Sequence, residues 1–217
     1  VEGMKEERGH SHEDEEEESH DEEEHFLHSA EETEEEHNEH VHTMDEHVWT
    51  SPGNAIDIVE HITEELCSLD PEHGQTYKDN AEAYEAQLKE LDTEFRDVVE
   101  NAKNHTLLFG DRFPFRYFAA EYGLDYYAAF SGCASDTEPS AATMAFLINK
   151  VKEEQIPVVL KMELSNDNIA NAIAEACDVP VKVFYSSHNI SAKQFEAGVT
   201  YLDLMKENVE TLKEALR

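Results

Sequence analysis

Apolar residues first recur regularly at Ile56, Val59, Ile62 and Leu66, in steps of three and four. That spacing places them on one face of a helix. Ser51 and Pro52 mark its start, because a serine hydroxyl can accept from an orphan backbone N–H and proline tolerates the first helical position. Asp70-Pro71 repeats the start signal. Tyr77, Ala81, Tyr84, Leu88, Leu91, Phe95, Val98 and Ala102 then continue one stripe. A stripe of ~30 residues is a rod of ~45 Å at 1.5 Å per residue. It lacks the repeated Leu/Ile seam of a coiled coil, so residues 71–104 read as a rigid strut between two lobes.

After Asn104 the rhythm changes. Short apolar runs at Thr106–Phe109, Tyr126–Phe130, Pro157–Met162 and Val181–Tyr185 read as strands. Helical patterns alternate with them. Pro114–Tyr122 is closed by Gly123, and Pro139–Glu154 carries Met144, Leu147, Ile148 and Val151. The third, capped by Ser165, bears Ile169, Ile173 and Cys177. The last carries Leu202, Met205, Val209, Leu212 and Leu216. Four strand-helix repeats predict an α/β fold with a parallel sheet, its crossovers right-handed, over residues 105–217.

Nothing of this kind precedes Asp45. Residues 1–46 hold 21 Asp/Glu against Lys5 and Arg8, a net of −19, so the rest of the chain carries −35 − (−19) = −16. With almost no apolar residues, this stretch cannot bury enough surface to offset the entropy of ordering, and residues 1–44 are expected to be disordered. His10, His12, His20, His25, His28, His37, His40 and His42 lie among its Glu runs. A plain acidic linker has little reason to carry them, whereas neutral imidazoles bind zinc, copper and nickel. The tract is expected to hold metal loosely, since nothing fixes its geometry. So negative a chain repels nucleic acid and anionic membrane surfaces and attracts cations. No apolar run is long enough to span a membrane. Cys67, Cys133 and Cys177 form no CxxC pair and no disulfide framework.

The candidate chemistry lies where the strands end, because ligands of open α/β sheets bind beyond the carboxyl ends of the strands. Asp111, Glu163 and His188 stand there as potential metal ligands, with Cys133 as a soft addition. His47, just ahead of the first helix, is the best single candidate. His61, His73 and His105 read as surface or packing residues. There is no GxSxG, GxGxxG, GxxxxGK[ST] or HExxH, so an enzyme finds little support.

Asp45-Glu46-His47-Val48-Trp49-Thr50-Ser51-Pro52 resembles the Asp-Pro-His-x-Trp-x-Asp/Ser-Pro motif of the zinc/manganese solute-binding proteins of bacterial ABC importers, the ZnuA/AdcA type. The His-rich tract upstream and the long helix downstream agree with that family. So does the ending Gly198-Val199-Thr200-Tyr201-Leu202-Asp203-Leu204-Met205-Lys206-Glu207-Asn208-Val209-Glu210-Thr211-Leu212, similar to Gly-x-x-Tyr-x-x-x-Met-x-x-Asn-x-x-x-Leu. The resemblance implies two α/β lobes bridged by a helix, with metal held between them. On that layout residues 45–70 are the end of a first lobe whose remainder, with another His ligand, lies outside this chain. His47 matches the second ligand. Arg112 falls where many members have His, and Ser186 where they have a late Asp, so the second lobe would coordinate through Asp111, Glu163 or His188, or mainly close over the metal.

The expected function is extracytoplasmic capture of zinc, with manganese possible, by a monomer that delivers it to a membrane permease. The secretion signal is expected to lie outside this chain. Two rivals make different predictions. A His/Glu metal buffer would show several weak sites independent of His47. A small-molecule enzyme would show a pocket near Asp111, Glu163 and Ser186 and activity without metal.

Overall fold

A computed structural model describes residues 45–130 and 139–217. The His-rich tract and Cys133 lie outside the described residues. A short 3₁₀ turn, Val48–Thr50, leads into α1, Pro52–Leu69. Ser51 caps α1 by accepting from the Asn54 N–H, as the Ser-Pro signal predicts. A second 3₁₀ turn, Pro71–His73, reverses the chain into α2, Gly74–Glu100. Then follow β1 Thr106–Phe109, α3 Arg116–Tyr122, β2 Asp125–Ala128, α4 Ala141–Glu153, β3 Val159–Lys161, α5 Asn168–Cys177, β4 Val181–Val183, α6 Ala192–Glu196 and α7 Tyr201–Ala215.

The four strands form one parallel sheet in the order β2-β1-β3-β4. The chain leaves β1 in one direction for β2 and then returns to its other side for β3. The gap between β1 and β3 is therefore the switch point at which ligands gather in such sheets. Side chains on β1 alternate between two cores, as the period of a strand requires. Leu107 and Phe109 join a large core with Leu88, Leu91 and Phe95 of α2 and Met205, Val209 and Leu212 of α7. Leu108 joins a smaller one with Leu147 and Val151 of α4 and Ile173 of α5. Helices thus cover both faces. The second half of α2 sinks into the larger core.

The structure departs from the sequence reading at the start of α5 and after β4. Asp167, not Ser165, stands at the start of α5. Ser165 instead gives its hydroxyl to Asp111, a partner 54 residues away. A short helix, α6, was not anticipated; Ser191 and Gln194 close a capping box around its first turn. At the end of β1, Gly110 lets α5 approach. A Cβ there would sit 2.4 Å from the Ala170 Cα, inside any allowed contact.

Candidate metal centre

His47 is held before α1 begins. The Thr50 hydroxyl donates to the His47 carbonyl at 2.8 Å, and the Asn54 side chain reaches the Val48 carbonyl at 3.2 Å. The ring Nδ1 lies 2.9 Å from Asp45 Oδ1, and the same oxygen accepts the His47 backbone N–H at 2.9 Å. Asp45 is almost fully buried, with Arg116 Nε 4.0 Å from its other oxygen. Burial alone would raise the Asp45 pKa. The hydrogen bonds from His47, with the charges of His47 and Arg116, outweigh it and bring the carboxyl below its ordinary value. An ionised Asp45 can accept a proton carried on Nδ1, the tautomer in which the ring's lone pair sits on Nε2.

The motif is stitched to the α/β body. The Tyr117 hydroxyl donates to the Asp45 carbonyl at 2.9 Å. Trp49 Nε1 donates to the Ser186 carbonyl at 2.9 Å, and the Tyr201 hydroxyl donates to the Trp49 carbonyl at 2.8 Å. The Ser51 hydroxyl also meets Glu121, itself paired with Arg96 on α2.

The loop after β4 brings the second imidazole. Asn208 of α7, wholly buried, clamps Tyr185 from both sides, accepting its N–H at 2.7 Å and donating to its carbonyl at 2.8 Å. Ser187 follows with φ +58°, a left-handed turn that costs a non-glycine residue energy and redirects the chain. His188 emerges from that turn, exposed, its backbone N–H on the Ser186 hydroxyl at 3.2 Å. The His47 and His188 ring centres lie 5.8 Å apart, with Trp49 5.4 Å from the first and 5.9 Å from the second. With zinc–nitrogen bonds of ~2.0–2.1 Å and a ring centre ~1.1 Å further out, two imidazoles on one tetrahedral ion hold their centres ~5 Å apart. The observed separation of the ring centres, 5.8 Å, is close to that distance.

The other two expected ligands are engaged elsewhere. Asp111 is buried at the switch point. One oxygen takes the Arg112 N–H at 2.8 Å, and the other takes the Met162 N–H at 2.9 Å and the Ser165 hydroxyl. Glu163 accepts the Ser186 N–H at 2.8 Å on one oxygen and the Ser186 hydroxyl at 2.6 Å on the other. Among the described residues no group of three or more His, Cys, Asp or Glu side chains is placed to hold a metal. His61, His73 and His105 are exposed, the first two with Nδ1 on the Asp57 carbonyl and Asp70.

Sequence reading missed Asp45, Tyr201 and Asn208 as parts of the site. The two-residue step from Asp45 to His47 was the available signal, since it suits a carboxylate that returns to both the backbone and the ring. Tyr201 and Asn208 could be found only as elements of the closing pattern, without their partners.

Over residues 1–215 the chain matches the family described as ZnuA, zinc-uptake complex component A periplasmic. It is similar to the high-affinity zinc uptake system protein ZnuA of Bacillus subtilis, 32% identical over 175 residues, which are 81% of this chain and 54% of that protein. It is 33% identical over 186 residues to the zinc-binding lipoprotein AdcA of Streptococcus pneumoniae, 85% of this chain and 37% of that protein. The chain therefore spans about half, or less, of the length of these relatives. Among solved structures it resembles the metal-dependent lipoprotein YcdH of Bacillus subtilis, with TM-score 0.71 and 32% identity over 80% of this chain and 65% of that one. The Zn(II)-bound ZnuA-like domain of Streptococcus pneumoniae AdcA follows at TM-score 0.68 and 32% identity, over 80% of this chain and 64% of that one. The chain therefore belongs to the ZnuA family, whose members are solute-binding proteins rather than enzymes.

Proposed function

We propose that this chain captures zinc outside the cytoplasm for delivery to an ABC importer, and that His47 and His188 are its own ligands to the ion. The observation that carries the reading is the pair of imidazoles 5.8 Å apart, one of them oriented by Asp45. Two neutral imidazoles favour zinc over manganese, which prefers oxygen donors. Further donors come from outside this pair: water, the His-rich tract, or segments beyond the described residues. Asp111 and Glu163 support the site through the loops they hold. The acidic tract concentrates zinc near the cleft and hands it over.

The test uses a property of the sequence. Trp49 is the only tryptophan, and it lies beside both rings. Its emission, followed during zinc titration against a calibrated chelator, reports this site and not the tract. His47→Ala and His188→Ala should each weaken the tight site by more than the ~10–100-fold that outer-shell changes cost. A chain lacking residues 1–43 should keep the Trp49 response. Zinc binding that disappears with the tract, while Trp49 never responds, would establish the buffer reading instead.

A further inference from the structure

Glu163 lies two residues beyond the end of β3. Both of its oxygens are spent on one residue, Ser186, through its backbone N–H at 2.8 Å and its hydroxyl at 2.6 Å. Ser186 is buried and is the crossing point of the site. Its carbonyl receives Trp49 Nε1 at 2.9 Å, and its hydroxyl receives the His188 N–H at 3.2 Å. Fixing Ser186 therefore fixes three things together: the exit of β4, the start of the turn that carries His188, and the indole edge beside His47. A carboxylate is suited to this task because it accepts two hydrogen bonds at once and, being charged, holds them more strongly than a neutral acceptor.

We propose that Glu163 is a positioning residue that does not touch the metal: through Ser186 it sets the distance between His188 and the His47–Trp49 pair. The reading rests on the proposed two-histidine capture site but can be tested apart from it, because the brace exists in the metal-free protein. A Gln side chain has the shape to replace it. Its carbonyl can accept the Ser186 N–H and its amide can donate to the hydroxyl. An amide is a poor substitute for a carboxylate bound to zinc.

The experiment compares the wild-type chain with Glu163→Ala, Glu163→Gln and Ser186→Ala. Acrylamide quenching of Trp49 is measured without metal, and competitive titration gives zinc affinity. Glu163→Ala is expected to make Trp49 more accessible in the metal-free state and to weaken zinc by ~10–100-fold, the range of outer-shell changes. Glu163→Gln should recover most of both losses. Ser186→Ala, which keeps the backbone half of the brace, should fall between. If Gln binds zinc as poorly as Ala while both leave metal-free Trp49 at its wild-type accessibility, Glu163 is a ligand and the proposal is overturned. Wild-type accessibility and affinity in all three variants would overturn it equally. Should the wild-type chain bind no zinc at Trp49, the capture reading fails, and the metal-free quenching still decides the brace.

Discussion

The two imidazoles of the candidate site stand on different ground. The His47 side chain is 14% exposed, its ring is oriented by Asp45, and its carbonyl and flanking residues are tied to three helices and a loop. His188 is exposed, and the only bond described for it runs from its backbone. One ring is preformed, whereas the other rides on a turn whose path is set but whose side chain is not. A site built this way pays little ordering entropy on the first ligand and keeps freedom in the second. On the proposed reading, such a site would accept an ion arriving from solvent and tighten around it.

That contrast can be broken from the core outward. The largest effect should come from Phe184→Ala. Phe184 is fully buried, directly follows β4 and packs against Phe109, Phe115 and Phe118. Truncation should cost about 3–5 kcal/mol in urea unfolding and undermine both rings together. Asn208→Ala comes next. It leaves the N–H and carbonyl of half-buried Tyr185 without this partner, for a loss of at most about 1–3 kcal/mol each, and it should loosen His188 while sparing the His47 orientation. Zinc affinity falling with no change in the His47 imidazole nitrogen shifts by NMR would bear this out.

Gly110→Ala should cost about 1–3 kcal/mol by forcing α5 away from β1, and it should disturb the Asp111 clasp rather than either ring. Tyr117→Phe sharpens the comparison from the other side. It removes one hydrogen bond to Asp45, worth about 0.5–1.5 kcal/mol, and should slacken His47 alone.

The smallest effect concerns acid. Asp203 closes the capping box at the start of α7, and its hydrogen bonds from Thr200 hold its carboxyl below the ordinary value. A carboxyl depressed in the folded state contributes stability above its unfolded pKa and loses it as pH falls through the lower folded pKa. Wild type should therefore be more stable than Asp203→Asn at neutral pH, and the gap should close below pH ~4. A gap that widened in acid would contradict this sign.

The fold was legible because its signals are local. Strand runs alternate with helical stripes, and start signals such as Ser51-Pro52 can be read without tertiary knowledge. β1 falls on Thr106–Phe109 as expected, and Gly123 closes α3 in a left-handed conformation. The supports of the site were not legible, because each joins residues far apart in the chain. Ser165 has the chemistry of a helix cap, and only the fold reveals that Asp111 claims it. Glu163 reads as a candidate ligand because it is a carboxylate near a strand end; what the sequence hides is that Ser186 hydrogen-bonds both of its oxygens.

The bonds of Trp49 also impose an order on assembly. Its partners Ser186 and Tyr201 are separated from it by 137 and 152 residues. Contacts across such spans form late, after the long loops between them have been closed at an entropic cost. Tyr117 and Glu121 can fasten the His47 segment once α3 is made, but Trp49 itself waits for β4 and α7. If the proposed pair holds the ion, metal competence would be an end-of-folding property. A chain truncated before α7 would carry the His47 motif in its sequence without the frame that orients it.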